Sequence, residues 1–292
     1  MLHKNYKEGP QLDVAGLNKI IVLIDRSESE LSEIGFNEWR PNLDGPPHKH
    51  GGKDQVFYIT SGIGKVKLGD FEYDVSEGNC IYVPAGLVHQ TITTGDEPLC
   101  YILFNVFNSP DSQEGHETFA EHIEKVKQIR KQQADSGKAD VNDNESDVVK
   151  IRASKFIENV YEGKEYDFGS NFTTLLLDRQ ETNGFEFVMV KWPPNNKGAI
   201  VAHSEKEQTF FVLKGTGEIT IANETVDVKP GDVVFVPRNR AHTTESFDEE
   251  LTYICLNSHI VQPKDASFDQ MYHRIAPHRI KRWEDGNGEV GE

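Results

Sequence analysis

Short runs of apolar residues, rich in Val, Ile, Phe and Tyr, recur along most of the chain and are separated by Gly, Pro and Asp. Runs punctuated in this way are typical of β-strands joined by tight turns. The clearest runs are residues 55–60, 64–68, 79–83 and 100–107 in the first half and 209–213, 217–221 and 232–236 in the second. Many short strands at such spacing predict a β-sandwich or β-barrel in each half.

One stretch between the two strand-rich regions has a different pattern. From residue 115 to residue 133, apolar side chains recur at helical spacing among charged ones. They are Phe119, Ile123, Val126 and Ile129. The pattern predicts an amphipathic helix whose apolar stripe packs on the outside of a barrel. Residues 134–147 are polar, charged and without periodicity, which predicts a mobile linker.

The two halves of the chain repeat each other. Residues 21–28 resemble residues 174–181, which lie 153 positions further on. The same offset relates Trp39 to Trp192, His50 to His203, Gln55 to Gln208, Gly62 to Gly215 and His89 to His242. A single offset over this span means that no net insertion or deletion separates the copies. The chain is therefore predicted to be a duplicated domain.

The repeat divides the chain into four predicted segments. The first barrel spans residues 15–108 and the second spans 151–262, with the helix and linker at 109–150 between them and a tail at 263–292. Each barrel is long enough to bury its own core. The polar tail is expected to cover the edge of a barrel sheet. We predict an all-β protein of two tandem barrels joined by a helical and disordered linker.

Charge and cysteine usage narrow the classes of partner and location. A formal net charge of −17, with no basic cluster among the aromatics, disfavours nucleic acids and anionic membranes, because both are polyanions. No apolar run approaches the roughly 20 residues of a spanning helix, and residues 1–13 lack the apolar core of a signal peptide. The three cysteines lie in apolar runs, as is typical of a reduced compartment. We expect a cytoplasmic protein.

Three histidines and a glutamine of the first copy stand at a spacing that favours metal binding. His48 and His50 are two residues apart, so on an extended strand both imidazoles point to one face. Gln55 begins the next strand beyond a Gly51-Gly52 turn, and His89 enters from a later strand. Three imidazoles and one side-chain oxygen are a sound ligand set for a divalent first-row metal.

These residues lie in two blocks that resemble the two motifs of the cupin superfamily. The blocks are His48-Lys49-His50 followed by Gln55 and Gly62, and Gly78 followed by Pro84-Ala85-Gly86 and His89. Because the pattern covers both copies, the chain resembles a bicupin, a protein of two tandem cupin domains. The resemblance implies a jelly-roll β-barrel in each copy with the metal in its mouth. It also implies a homodimer.

Gln55 departs from the family pattern, which usually has glutamate at this ligand position. An amide oxygen cancels none of the metal's charge, so the occupied site favours an anionic substrate. Asp54 is the alternative ligand, because a looser form of the motif fits its position. The spacing from Gln55 to Gly62, which recurs from Gln208 to Gly215, favours Gln55. In this ligand the chain is similar to the bicupin of bacilysin biosynthesis, whose step on a keto acid is isomerase-like.

The second copy has fewer candidate ligands. Val201 stands where the first copy has His48. The remaining candidates for a second metal site are His203, Gln208 and His242. A tightly held ion would need Glu205 or Glu207 to join them, because metal affinity falls with each lost ligand. The alternatives are that this barrel is structural, or that it forms a metal-free pocket that helps the protein to dimerise.

Strand alternation predicts which other side chains face the first site. If Gln55 points inward, Phe57 and Ile59 do so as well. Phe57 and Tyr101 are the candidate substrate contacts, although core packing also explains both. Glu38 is a further candidate for the pocket. No Asp, Glu, Lys or Tyr stands out as a general base, so no catalytic side chain is assigned.

Three classes of function are compatible with these residues. The favoured one is a metal-dependent oxidoreductase of the dioxygenase type, acting on a small anionic organic substrate. Its cofactor is one divalent first-row metal, with Fe(II) favoured and Mn, Ni, Co or Zn as alternatives. The second is a metal-dependent isomerase of a keto acid or sugar-like compound. The third is a non-catalytic cupin that binds a small molecule. A pocket poor in acid–base groups favours the first.

Overall fold

The computed structural model describes residues 1–109, 118–136 and 152–286. Within these ranges the protein is mostly β, with twenty strands and two helices, which confirms the fold class predicted from the apolar runs. Of the predicted linker, residues 134–136 end the first helix, and the remainder lies outside the described residues. Neither described helix is long and apolar enough to cross a membrane.

The chain divides into two compact units. One comprises Glu8–Asn159, and the other comprises Val160–Glu292 together with Met1–Lys7. Strand β1 (Leu2–Asn5) therefore belongs with the second half of the sequence, although it is the first element of the chain. Nothing in the pattern of apolar residues indicates this placement.

The first unit consists of two antiparallel sheets and a helix, α1 (Phe119–Ser136). Its strands are β2 (Gln11–Val14), β3 (Asn18–Ile24), β4 (Ser32–Trp39), β5 (Lys53–Ser61), β6 (Ile63–Leu68), β7 (Phe71–Ser76), β8 (Cys80–Val83), β9 (His89–Thr93), β10 (Leu99–Phe107) and β11 (Lys155–Ile157). The strand orders are β11-β8-β5-β10-β4-β3-β2 and β7-β6-β9. Side chains of both sheets, among them Phe57 and Val66, meet in one apolar core, as in a jelly-roll barrel.

The second unit has the same layout, with helix α2 (Phe268–Glu284) in place of α1. Its strands after β1 are β12 (Lys164–Asp167), β13 (Phe172–Leu177), β14 (Phe185–Trp192), β15 (Lys206–Lys214), β16 (Gly217–Ile221), β17 (Glu224–Val228), β18 (Asp232–Val236), β19 (His242–Ser246) and β20 (Leu251–His259). The strand orders are β1-β18-β15-β20-β14-β13-β12 and β17-β16-β19. Strand for strand, these orders repeat those of the first unit.

The two barrels obtain their outermost strand from different places in the sequence. In the second barrel β1 pairs with β18, and in the first barrel β11 pairs with the equivalent strand β8. Asn5 reinforces the first of these pairings, since its Nδ2 donates to Asp232 Oδ1 at 2.7 Å. The constant offset of the sequence repeat ends elsewhere, in the loop before the last long strand of each barrel. Tyr101 and Tyr253 are equivalent but 152 residues apart, because the loop before β20 is one residue shorter.

Two equivalent glycines form the turns that follow β5 and β15. Gly62 and Gly215 have φ angles of 84° and 78°, in the left-handed region that glycine adopts at no steric cost. A Cβ at these positions would collide with the carbonyl oxygen of Pro98 or Glu250. The glycine of each copy is therefore required both by the backbone conformation and by the close approach of the loop that precedes β10 or β20.

Each barrel is covered by the helix that follows its last long strand. Phe119 and Ile123 of α1 are buried against Val14, Ile20 and Val22, as the helical apolar stripe predicts. In the second unit the buried residues of α2 are Phe268, Met271, Ile275 and Ala276. The sequence predicts that the polar tail covers a sheet edge. The tail instead forms this amphipathic helix, whose apolar face packs into the barrel core.

An aspartate of the barrel holds the first turn of each helix. Asp25 Oδ2 accepts a hydrogen bond from the backbone N–H of Phe119 at 3.0 Å. The equivalent Asp178 Oδ2 accepts from the N–H of Phe268 at 3.1 Å. These contacts satisfy a backbone donor that has no partner within the helix, and they place a negative charge at the positive end of the helix dipole.

Candidate metal centre

The backbone of the first barrel places His48 directly opposite His89. The two residues form an isolated antiparallel bridge, in which each N–H donates to the other's carbonyl oxygen at 2.8–2.9 Å. Opposed residues of an antiparallel pair present their side chains on the same face, and the two ring centroids are 4.3 Å apart. His50 lies on this face too, with its ring centroid 5.1 Å from that of His48.

The three imidazoles form a cluster with the spacing of a metal ligand set. One nitrogen of each ring lies within 4.8 Å of the corresponding nitrogen of the other two. In the part of the chain that the structure describes, no other three His, Cys, Asp or Glu side chains converge in this way. The structure therefore brings His48, His50 and His89 together, as the sequence motif implies.

Backbone carbonyls determine which nitrogen of two of the rings is protonated. His48 Nδ1 lies 3.0 Å from the carbonyl oxygen of Pro46, and His89 Nδ1 lies 3.1 Å from that of Leu87. A carbonyl oxygen only accepts, so Nδ1 is the donor and Nε2 keeps its lone pair. His89 Nε2 is buried and has no hydrogen-bond partner among the described residues. A buried lone pair without a partner is what a ligand nitrogen presents to a metal.

Burial keeps these imidazoles neutral. Desolvation lowers the pKa of His50 well below its usual value, and the positive charge of Lys53 lowers it further. Desolvation likewise lowers the pKa of His89 well below its usual value, with the neighbouring His48 as the next cause. A metal binds only the neutral imidazole, so the environment favours the form that a metal requires.

A chain of hydrogen bonds orients the side-chain amide of Gln55. The buried carboxylate of Glu33 can only accept, so Asn105 must turn its Nδ2 toward Glu33 Oε1, at 2.7 Å. Asn105 Oδ1 then faces Gln55 and accepts from Gln55 Nε2, also at 2.7 Å. The amide oxygen of Gln55 is thereby directed away from the network, and it is buried without a hydrogen-bond partner in the described ranges.

Two buried cations hold Glu33 in its ionised form. Lys53 Nζ lies 2.9 Å from one carboxylate oxygen of Glu33, and Arg26 NH2 lies 2.6 Å from the other. Burial raises the pKa of Glu33, but the charges of Lys53 and Arg26 outweigh it, and the pKa lies below its usual value. Because Glu33 stays a pure acceptor, the orientation of Asn105 and Gln55 is maintained.

The cluster opens into a cavity of about 70 Å³. Gln55, Phe57 and Tyr101 line this cavity together with the three histidines. The hydroxyl of Tyr101 accepts from Trp39 Nε1 at 2.8 Å, and its ring stacks on that of Phe57 with centroids 4.9 Å apart. Both predicted substrate contacts therefore face the site as one packed aromatic wall. Among the described residues, no Asp or Glu lines the cavity.

Two acidic residues that the sequence offers as candidates lie outside the cavity. Asp54 points to the opposite side of its strand, where its carboxylate accepts from the hydroxyl of Tyr82 and the N–H of Ala85, both at 2.8 Å. Glu38 is partly exposed and lies 3.8 Å from Lys19 Nζ. The geometry therefore favours Gln55 over Asp54 as the fourth ligand.

Several polar residues of the site are not indicated by the sequence pattern. Lys53, Asn105 and His122 all line the cavity. Lys53 and Asn105 lie on strands that read as apolar runs, so nothing marked them locally. His122 had a detectable signal, since it lies three residues after Phe119 and one before Ile123 on the buried face of α1.

The second barrel repeats the pocket without the histidine triad. Val201 forms the backbone bridge with His242 that His48 forms with His89, so it replaces that histidine in space as well as in sequence. His203, Gln208 and His242 line a cavity of about 100 Å³. The rings of His203 and His242 have centroids 5.4 Å apart. The predicted second set of ligands is thus gathered in one place, with two imidazoles instead of three.

The donor set of the first barrel fits a divalent first-row metal. Its three neutral imidazoles and one amide oxygen are ligands that such ions accept. Two of these donors, His89 Nε2 and Gln55 Oε1, are buried polar atoms that no described protein group satisfies. Burying a polar group without a partner is costly, and a bound cation removes that cost.

Two regions of the chain match one protein family. The family model described as a cupin domain matches residues 36–105 and again residues 188–257. Among solved structures, an oxalate decarboxylase of Lactobacillus farciminis in complex with formate superposes with a TM-score of 0.62 at 15% identity, over 89% of this chain and 87% of that one. An oxalate decarboxylase of Bacillus subtilis gives a TM-score of 0.60 at 16% identity, over 88% and 76%. Likeness at these identities concerns the fold alone.

The curated relatives match over shorter stretches. The protein YrkC of Bacillus subtilis is 35% identical over 82 residues, which are 25% of this chain and 43% of YrkC. A protein of Methanocaldococcus jannaschii is 32% identical over 54 residues, which are 18% of this chain and 43% of that protein. The chain thus spans less than half the length of these two relatives.

Proposed function

Because the chain belongs to the cupin superfamily as a tandem pair of cupin domains, we propose that its first barrel is the metal-dependent catalytic centre of an enzyme for a small organic anion. His48, His50, His89 and Gln55 hold the metal. The observation that carries the proposal is the convergence of three imidazoles on a cavity that no described carboxylate lines.

The charge of the site supports an anionic substrate. Gln55 supplies a neutral oxygen, so none of the ligands cancels the charge of a bound cation. The carboxylate behind the site, Glu33, is matched by two cations, Lys53 and Arg26. The occupied pocket therefore has a net positive charge in a low-dielectric setting, where attraction to an anion is strong.

The reaction that this pocket favours is oxidation of the dioxygenase type. When bound, a first-row metal supplies a Lewis acid and, for Fe(II), open positions for O₂. The chain's own groups orient the substrate and exclude water. Phe57 and Tyr101 form an aromatic wall, and Phe119 and Ile123 of α1 add apolar side chains to the lining of the cavity. An apolar pocket with one strong polar anchor is the usual design of a small-ligand site.

Oxygen uptake by the metal-loaded full chain tests this reaction. The chain is reconstituted separately with Fe(II) and Mn(II) and supplied with keto acids, diketones, phenols and oxalate. We expect substrate-dependent O₂ consumption that is lost in His89→Ala. His242→Ala, the equivalent change in the second barrel, serves as the matched control and should retain the activity. No uptake with either metal and any of these substrates would rule out the oxygenase.

One observation favours a second candidate, a metal-dependent isomerase of a keto acid. His122 of α1 lines the cavity, and imidazole is the side chain best suited to move a proton near neutral pH. The test is transfer of the substrate's α-proton to deuterated solvent without O₂ consumption. Exchange that is lost in His122→Gln would support the isomerase. Ligand binding without turnover of either kind would leave the non-catalytic function.

The environment of the thiols supports a cytoplasmic location, which we also propose. Cys80, Cys100 and Cys255 are free and at least half-buried, and free buried thiols are typical of reducing compartments.

We further propose that the protein is a homodimer, as the resemblance to bicupins implies. Light scattering on the purified full chain measures its mass directly, and a value of one chain would contradict the dimer.

A further inference from the structure

The pocket of the second barrel contains two permanently charged side chains. Lys206 and Arg279 line its cavity of about 100 Å³ beside His203 and His242, and no described Asp or Glu does so. The ammonium of Lys206 and the guanidinium of Arg279 therefore give this cavity a cationic lining. A cationic cavity of this size in a chain of net charge −17 is a local feature that the composition does not explain.

Arg279 reaches the cavity from the helix that covers it. Met271 and Ile275 of α2 are buried and line the same cavity, so this face of the helix is turned inward. The guanidinium of Arg279 lies over the ring of Phe168, 5.0 Å from its centroid. A guanidinium stacked on an aromatic face directs its N–H donors sideways, within its own plane, rather than into the ring.

Lys206 differs from its counterpart in the first barrel in one respect. Lys53 is neutralised by Glu33 at 2.9 Å. The equivalent carboxylate, Glu186, is bound by Arg179, with which it forms an ion pair and an Nε hydrogen bond at 2.6 Å. Lys206 attracts Glu186 at longer range but forms no ion pair with any described residue.

The sequence change behind this difference lies at the end of β20. His259 occupies the position of Phe107 and places its Nε2 3.6 Å from Glu186 Oε2. In the first barrel Phe107 leaves that side of the carboxylate to Lys53. The imidazole of His259 thus occupies the side of Glu186 that corresponds to the side of Glu33 bound by Lys53 in the first barrel. Lys206 therefore lines the cavity without forming an ion pair with any described carboxylate.

The site does not resemble the first metal centre. Val201 replaces the histidine that would complete a triad. Lys206 and Arg279 line the same cavity, and their positive charges oppose a metal cation there. The surroundings therefore favour an anion over a metal.

We propose that the second barrel binds a small organic carboxylate without a metal, through Arg279 and Lys206. The planar guanidinium matches a carboxylate with two parallel N–H···O bonds, and the ammonium supplies a second charge-assisted donor. The cavity has room for a compact acid of a few carbon atoms. This site is separate from the first barrel, so it does not depend on the reaction proposed there.

Isothermal titration calorimetry of the full chain with potassium oxalate tests the proposal. The chain is first dialysed against a chelator, so that oxalate cannot bind through a metal. We expect one saturable site per chain. Arg279→Gln and Lys206→Gln should each weaken binding at least about tenfold, because each removes a charge-assisted contact. Arg279→Lys keeps the charge but loses the planar guanidinium, so its affinity for oxalate should lie between that of the glutamine variants and that of the unaltered chain.

Two control variants separate this site from a general effect of surface charge and from the first barrel. Lys281→Gln removes an exposed positive charge from the same helix and should leave oxalate binding unchanged. The double variant His48→Ala/His50→Ala disables the first site and should also bind oxalate normally. Melting temperatures of Arg279→Gln and Lys206→Gln close to that of the unaltered chain establish that both variants are folded.

Three results would overturn the proposal. One is oxalate binding that survives both Arg279→Gln and Lys206→Gln. Another is binding that disappears in the His48→Ala/His50→Ala variant, which would assign it to the first barrel. The third is binding that requires added metal and is lost in His203→Ala, which would make the second pocket a metal site.

Discussion

Gln55, the neutral member of the proposed ligand set, has its amide held by a hydrogen bond to a neighbouring side chain. Its Nε2 donates to Asn105, and its oxygen is left facing the site without a partner among the described residues. The two orientations of a side-chain amide have nearly the same shape, so only the hydrogen-bond network distinguishes them. Here the fixed point of the network is Glu33, whose carboxylate cannot donate.

Gln55→Glu should make the stability of the chain depend on metal. A carboxylate cannot donate to Asn105 Oδ1, so the metal-free variant should lose about 1–3 kcal/mol of unfolding free energy. Bound metal should restore most of this loss, because the new charge is then neutralised. Thermal unfolding with chelator and with added metal measures the difference.

Gln208→Glu is the matched control for that prediction. Gln208 Nε2 makes the same contact to Asn257 Oδ1 at 2.7 Å, but the second barrel, as far as the structure describes it, lacks the triad. It should be destabilised to a similar extent, and metal should restore little of the loss. Equal melting temperatures of Gln55→Glu with and without metal would contradict the assignment of Gln55 as a ligand.

Asn105 should affect metal affinity although it is not itself a proposed ligand. Asn105→Ala allows the amide of Gln55 to rotate, and partners that orient a ligand typically change affinity by about 10–100-fold. Competition for metal against a chromophoric chelator measures the change. Asn257→Ala in the second barrel should leave that affinity unaltered. An unchanged affinity in Asn105→Ala would show that packing alone orients Gln55.

At the scale of elements, the two helices are the parts of the fold that complete the pockets. Strands and the loops beside them supply the proposed ligands, but α1 brings His122 and α2 brings Arg279 into the lining of the cavities. Each helix is attached through an apolar stripe and through one aspartate at its first turn. The difference between the pockets thus comes partly from elements outside the cupin motifs.

Asp25→Ala should loosen α1 without unfolding the barrel. Loss of a helix cap costs about 0.5–2 kcal/mol, so amides of the first turns of α1 should exchange with solvent roughly 2–30 times faster. Hydrogen–deuterium exchange followed by mass spectrometry reports this region separately. Asp178→Ala should produce the same change in α2 and none in α1. Equal exchange in α1 of Asp25→Ala and the unaltered chain would show that the apolar stripe alone holds the helix.

At the scale of the whole molecule, the described acidic side chains do not line either pocket, although the chain as a whole is strongly acidic. The chain has a formal net charge of −17, yet in the described parts of the chain no Asp or Glu lines either cavity. A negative surface discourages binding to polyanions, while the cationic cavities still attract compact anions that fit inside. The negative charge of the whole chain and the cationic lining of the cavities therefore together favour anions that are small enough to enter a cavity.

Removal of residues 1–7 should weaken the second barrel, because β1 supplies its outermost strand. Deletion leaves one edge of β18 unpaired and removes the contact from Asn5 to Asp232. Hydrogen–deuterium exchange should then accelerate in Asp232–Val236. The equivalent strand of the first barrel, Cys80–Val83, keeps its partner β11 and should exchange as before. Equal exchange of β18 with and without residues 1–7 would contradict the pairing.

The amino-acid sequence by itself determined the duplication and the all-β fold, and it predicted the four residues of the proposed first site. These features depend on short-range signals: alternation along a strand, glycine at a turn that only glycine fits, and motif residues a few positions apart. The loss of His48's counterpart at Val201 was equally visible, because the two copies align without a gap there.

Only the tertiary structure decided what surrounds those residues. The orientation of Gln55 depends on Asn105 and Glu33, which are 50 and 22 residues away in the chain. The placement of β1 in the second barrel and of Arg279 in its pocket depends on contacts between distant segments. Long-range packing leaves no periodic trace in a sequence, because a strand or helix looks the same locally whichever barrel it completes.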